Sequence, residues 1–146
     1  MNIAIVGATG NVGRKILEVL EKKELKIDNL YLVASSKSLG KKIKFREKEY
    51  DVVDLDNFDF SKAKITFFAA GGKISKDFAE KASKKSLVID NSSFFRMDPD
   101  VPLIVPQVNS KDLNHIKKNI IANPNCSTAQ LVLSLIHISE PTRRTS

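Results

Sequence analysis

The stretch Gly7-Ala8-Thr9-Gly10-Asn11-Val12-Gly13 constrains this chain most. It follows the apolar run Ile3-Ala4-Ile5-Val6 and precedes a helical pattern that sets Ile16, Leu17, Val19 and Leu20 on one face. A strand that ends in Gly-x-x-Gly-x-x-Gly and continues as a helix lets backbone approach a pyrophosphate and points a helix N-terminus at it. A plain tight turn is the other reading. The placement between strand and helix, close to Met1, favours phosphate binding.

The alternation continues downstream. Runs of β-branched, aromatic and aliphatic residues predict strands over Asn29–Ala34, Ile65–Ala70 and Leu87–Asp90, with a helix over Ile74–Lys85. Short segments around Lys44–Phe45 and Tyr50–Leu55 read as edge strands. Val101–Val105, with Pro102 inside it and Pro106 after it, reads as extended, and Asn119–Ala122 leads to Cys126. Strands alternating with helices define the fold class as α/β, a Rossmann-like doubly wound and mostly parallel sheet. No internal repeat or low-complexity linker interrupts it.

The 146 residues suffice for one domain with a proper core. A single cysteine supports neither a disulfide framework nor a multi-cysteine metal site, so no metal is expected and the compartment is a reducing, cytoplasmic one. No signal peptide and no apolar run of membrane-spanning length is present, so no membrane partner is expected. The net charge of +7 could suit nucleic acid. Its lysines are scattered, however, with few aromatics between them, which fits a solvated basic surface and small phosphorylated ligands better.

Cys126 lies in Asn123-Pro124-Asn125-Cys126-Ser127-Thr128, after an apolar run and before Ala129-Gln130-Leu131-Val132, which reads as an opening helix. A helix start favours thiolate over thiol and offers N–H groups to an oxyanion. A buried structural cysteine is the alternative, which the polar, turn-forming neighbours disfavour. Beyond the second strand, where an NAD-selective domain tends to place an acid on the ribose 2′-hydroxyl, the chain has Ser35, Ser36, Lys37 and Ser38. These donors suit a 2′-phosphate, so NADP is favoured over NAD. Asp90-Asn91-Ser92-Ser93-Phe94-Phe95-Arg96 emerges from a buried strand at the sheet's carboxyl edge. Arg96 is there either as a fork for phosphate or carboxylate, or as a surface ion-pair residue. His115 reads as structural.

From Leu133 the run Leu-Ser-Leu-Ile-His-Ile-Ser-Glu-Pro-Thr-Arg resembles, through Arg143, a translated sequencing adapter. The expectation is a domain over residues 1–132 and a non-native tail over 133–146. A genuine short C-terminal segment is the competing reading.

The glycine turn, the segment from Asp90 to Arg96, Val101-Pro102-Leu103-Ile104-Val105-Pro106-Gln107-Val108-Asn109 and the cysteine motif, in this order and spacing, resemble aspartate-β-semialdehyde dehydrogenase. N-acetyl-γ-glutamyl-phosphate reductase shares the architecture, but its cysteine normally follows Pro-Gly and precedes an aromatic. The resemblance implies an NADP-dependent reduction of L-aspartyl 4-phosphate to the semialdehyde through a thioester, in the synthesis of lysine, threonine and methionine. It implies Cys126 as nucleophile with Asn125 beside it, and Arg96 and Asn91 at the substrate phosphate. Thr9, Gly10, Asn11 and Val12 fall at the pyrophosphate, in the turn that Gly7 opens, Lys37 and Ser38 at the 2′-phosphate, where the residues themselves add Ser35, and Gly71 and Gly72 beside the nicotinamide half. It further implies a homodimer, and a C-terminal catalytic and dimerisation α+β domain, with the general base, missing from these residues. A non-catalytic nucleotide-binding module is the alternative, although it would not need a thiol at a polar helix start.

Overall fold

A computed structural model describes residues 1–23 and 25–124. Its elements are strands β1 (Asn2–Val6), β2 (Asn29–Ala34), β3 (Lys42–Phe45), β4 (Lys48–Asp54), β5 (Ile65–Phe68), β6 (Leu87–Asp90) and β7 (Ile120–Ala122), and helices α1 (Asn11–Lys22), α2 (Gly72–Ser83) and the short α3 (Pro106–Asn109). The strands form one sheet in the order β3-β4-β2-β1-β5-β6-β7, parallel except for the β3–β4 hairpin. With β3 set aside, the order is third, second, first, fourth, fifth, sixth, that of a doubly wound dinucleotide-binding sheet.

Successive side chains of a strand point to opposite faces, and here both faces are covered, so the central strands read as continuous apolar runs. Ile3 and Ile5 of β1 pack with Leu30 and Leu32, Ile65 and Phe67 beneath Ile16, Leu17 and Leu20 of α1. Ala4 and Val6 turn the other way, towards Phe68, Val88 and the Ala79 and Ala82 face of α2. Val19, expected on the buried face of α1, is only half-buried because it lies at the flank of that stripe.

Three expectations are corrected. The segment Tyr50–Leu55 is not an edge strand: β4 pairs with β2 in parallel and with β3 antiparallel, and β3 lies outside it at that end of the sheet. The strand expected to run to Ala70 ends at Phe68, since Ala69 makes its last bond to Val6 and Gly71, at φ +89°, turns the chain into α2. Consequently α2 begins at Gly72, before Ile74, and it ends at Ser83, before Lys85. The amides of Lys85 and Ser86 both bond the Ala82 carbonyl, and Asn119, at φ +59°, donates its side-chain amide to the carbonyls of Ser83 and Ser86.

The β3–β4 turn has positive φ at Arg46 and Glu47, 50° and 66°. This is the mirror-image turn that fits strand twist but normally calls for Asn or Gly. Arg46 offsets the strain: its guanidinium donates to the carbonyls of Leu20, Lys23 and Leu25 at the C-terminal end of α1, and its amide bonds Glu21. The cation meets the negative end of the helix whose other end faces the sheet's carboxyl edge.

Candidate functional site

Strand order reverses at β1, whose neighbours β2 and β5 connect onward on opposite faces, so the carboxyl edge of β1 and β5 is the crevice where such sheets bind ligands. The glycine turn occupies it, and its three glycines differ in role. A Cβ on Gly7 would lie 2.7 Å from the Ala69 backbone, and its φ is +89°. A Cβ on Gly13 would lie 2.1 Å from the Gly7 carbonyl oxygen, so this glycine lets α1 start against the turn. Gly10 is different. A Cβ there would meet only the Gly7 oxygen at 3.5 Å, an ordinary contact, so internal packing does not require the bare backbone.

Gly10 is the N-cap of α1, with no side-chain cap and no acidic residue in the first turn. Gly71 caps α2 in the same way, again without side-chain cap or early acid. Two helix N-termini at one sheet edge, neither with an acidic residue in its own first turn, suit an anionic ligand. Asn11 and Val12 are exposed in the first turn of α1, and Gly72 opens α2 with its would-be Cβ 3.9 Å from Phe94.

Thr9 and Ser38 share a hydrogen bond between their hydroxyls at 3.2 Å. This joins the glycine turn to the segment after β2, where Ser36–Ser38 form a 3₁₀ turn with Ser35, Ser36 and Lys37 exposed. Sequence reasoning missed Arg14, whose Nε donates to the Thr9 carbonyl at 3.2 Å and steadies the same turn. Its signal was slight, one cation a residue beyond the last glycine. The donor set fits a phosphorylated dinucleotide: bare backbone at Gly10, open helix starts, and hydroxyls with a lysine beyond β2 in place of an acid.

At the ends of β6 and β7 a second cluster forms. Asp90 is fully buried and accepts from Ser75 Oγ of α2 at 2.7 Å, Ser92 Oγ at 2.8 Å and the Ser92 amide at 3.0 Å. These bonds fix the backbone that carries Asn91. Arg96 donates through Nη2 to the carbonyls of Asn91 at 3.4 Å and Pro124 at 3.2 Å. The Asn91 Nδ2 and Arg96 Nε atoms are buried without a hydrogen-bond partner among the described residues. Arg96 forms no ion pair among the described residues. Its loop is held by Asp98, whose carboxyl the Asp100 amide and then Lys118 hold below the usual range, and the Lys118 ammonium is raised in turn by Asp98.

Asn125 and Cys126 lie outside the described residues, as does the helix expected after them. His115 closes a 3₁₀ segment, Ser110–His115. Among the described residues no group of His, Cys, Asp and Glu is placed to hold a metal, and no helix is long and apolar enough to cross a membrane.

The fold and this edge define a dinucleotide-binding domain of the doubly wound class. The chain belongs to the family described as semialdehyde dehydrogenase, NAD binding domain, whose profile matches residues 2–116. It is 50% identical over 137 residues to an aspartate-semialdehyde dehydrogenase of Legionella pneumophila, covering 92% of this chain and 40% of that protein. The corresponding protein of Aquifex aeolicus is 53% identical over 136 residues, with 91% and 40% covered. Aspartate semialdehyde dehydrogenase II of Vibrio cholerae, solved in complex with ASA, superposes with a TM-score of 0.82 at 45% identity, covering 95% of this chain and 46% of that one. The Candida albicans enzyme with NADP gives 0.69 at 28% identity, covering 96% and 47%. The chain thus spans about 40% of the length of the curated relatives it matches.

Proposed function

We propose that residues 1–132 are the NADP-binding domain of an aspartate-semialdehyde dehydrogenase, that residues 133–146 take no part, and that the whole protein works in the cytoplasm as a homodimer. The Thr9–Ser38 bond carries the cofactor reading, because it sets the glycine turn and the Ser35–Ser38 segment side by side at the crevice. Gly7, Thr9, Gly10, Asn11 and Val12 hold the pyrophosphate. Ser35, Lys37 and Ser38 take the 2′-phosphate, and Gly71 and Gly72 lie by the nicotinamide half. The bound cofactor supplies hydride.

The Cys126 thiolate attacks the acyl carbon of L-aspartyl 4-phosphate. The bond from that carbon to the phosphate oxygen breaks, phosphate departs with the electron pair, and a thioester remains. Asn125 flanks the thiol. Arg96 and Asn91 receive the departing phosphate, a role supported by a buried nitrogen on each that has no partner among the described residues. Reduction of the thioester then adds hydride to the acyl carbon, breaks the carbon–sulfur bond, returns the Cys126 thiolate and gives L-aspartate 4-semialdehyde, a precursor of lysine, threonine and methionine.

The family resemblance puts the general base beyond residue 132, so the 146-residue chain alone makes no turnover. The test joins residues 1–132 to the remaining part of the Legionella pneumophila relative. The chimera should oxidise NADPH in the presence of L-aspartyl 4-phosphate, and Cys126→Ser should abolish this. A soluble chimera that binds NADPH yet stays inactive, or a Cys126→Ser variant that keeps activity, overturns the proposal.

A further inference from the structure

We infer that Asn123 is a positioning residue for the phosphate pocket, acting by fixing which end of the Asn91 amide faces the anion; the inference rests on the reading of Asn91 and Arg96 as phosphate ligands. Asn123 follows β7 directly and is fully buried. Its amide nitrogen bonds the Asp90 carbonyl at 2.9 Å, extending the β6–β7 ladder by one step and setting it level with Asn91. Its side-chain Nδ2 donates to Asn91 Oδ1 at 2.8 Å.

An asparagine amide has two orientations of nearly equal shape, one offering a donor and the other an acceptor. Only the donor end attracts phosphate. The Asn123 bond occupies Asn91 Oδ1 and leaves Asn91 Nδ2, buried and unpartnered among the described residues, as the end available to an anion. The backbone on the β6 side is already held by the Asp90 bonds to Ser75 and Ser92, and the Asn123 side chain adds a hold on the Asn91 side-chain amide. Asn123 also heads the segment towards Cys126, and Arg96 bonds the carbonyl of Pro124 next to it.

A merely structural Asn123, tying β6 to β7, would affect folding but not through Asn91. The discriminating experiment is a double-mutant cycle on the 146-residue chain, read by calorimetric titration with inorganic phosphate, with thermal melting and NADPH titration as fold controls. Asn123→Ala should weaken phosphate binding about fivefold, and have no further effect in an Asn91→Ala background. If Asn123→Ala does not fold, the near-isosteric Asn123→Asp carries the same cycle, since its carboxylate would turn the Asn91 amide round: phosphate binding should fall more in the Asn91 chain than in the Asn91→Ala background, where only the added charge acts, while NADPH binding persists. Unchanged affinity in a folded Asn123 variant, or an equal loss with and without Asn91, overturns the inference. Absence of phosphate binding by the unsubstituted chain instead overturns the pocket on which it rests.

Discussion

Gly10 and Gly13 look alike in the sequence, yet alanine at each should have opposite consequences. At Gly13 the new Cβ would sit 2.1 Å from the Gly7 oxygen and 2.8 Å from the Ala8 Cα, all backbone. The start of α1 must retreat by roughly 1 Å to restore contact distance, which disturbs the packing of Ile16, Leu17 and Leu20. Such overpacking costs about 1–3 kcal/mol, or roughly 2–12 °C in Tm for a domain of this size. At Gly10, with ordinary φ of −83° and only an ordinary contact to the Gly7 oxygen, alanine restricts the unfolded chain. That gain of about 0.4–1 kcal/mol is offset by a similar loss of about 0.5–1 kcal/mol from a poorer N-cap. Stability should therefore stay within about 0.5 kcal/mol, while a methyl group where the pyrophosphate meets backbone should weaken NADPH binding about tenfold or more. Urea melts and NADPH fluorescence titrations of both variants separate the two effects. A Gly10→Ala chain that melts like Gly13→Ala, or that binds NADPH normally, would refute the assignment of Gly10 to the ligand.

Removing the Lys37 cation with Lys37→Ala should lower NADPH affinity about tenfold and leave NADH affinity little changed, measured by the same titration. Arg46→Ala removes the guanidinium from the C-terminal carbonyls of α1 and should cost about 2 kcal/mol in urea unfolding; Arg46→Lys should recover only part, since an ammonium cannot reproduce the fork. Asp98 is held below the usual aspartate value of 3.8, first by the Asp100 amide and then by Lys118. As pH falls the unfolded chain takes up this proton first, so the contribution is complete above that value and is lost as pH drops through the lower folded one. Asp98→Asn should flatten the fall in Tm below about pH 4.

The central strands were legible because both their faces are buried, leaving unbroken apolar runs such as Ile3–Val6 that few other structures accommodate. Glycines flagged α1 and the crevice for the same local reason. The position of β4 was not legible: Lys48, Glu49 and Asp51 are exposed and mimic an edge, while the turn that folds β3 outside it is built from Arg46 and Glu47, not Asn-Gly. Its stabilisation comes from α1, which lies far off in the chain. Asp90 could have been noticed, as a carboxylate closing an apolar strand must find donors. Asn123 could not, because Asn91 lies just past the end of a neighbouring strand and no local pattern announces the pairing.

Titration of the 146-residue chain with NADPH and, separately, with NADH tests the central claim most directly. The account predicts saturable NADPH binding at one site, tighter than NADH by about tenfold or more and reduced by Gly10→Ala. Failure of a folded chain to bind either nucleotide, or equal affinity for both, would contradict it.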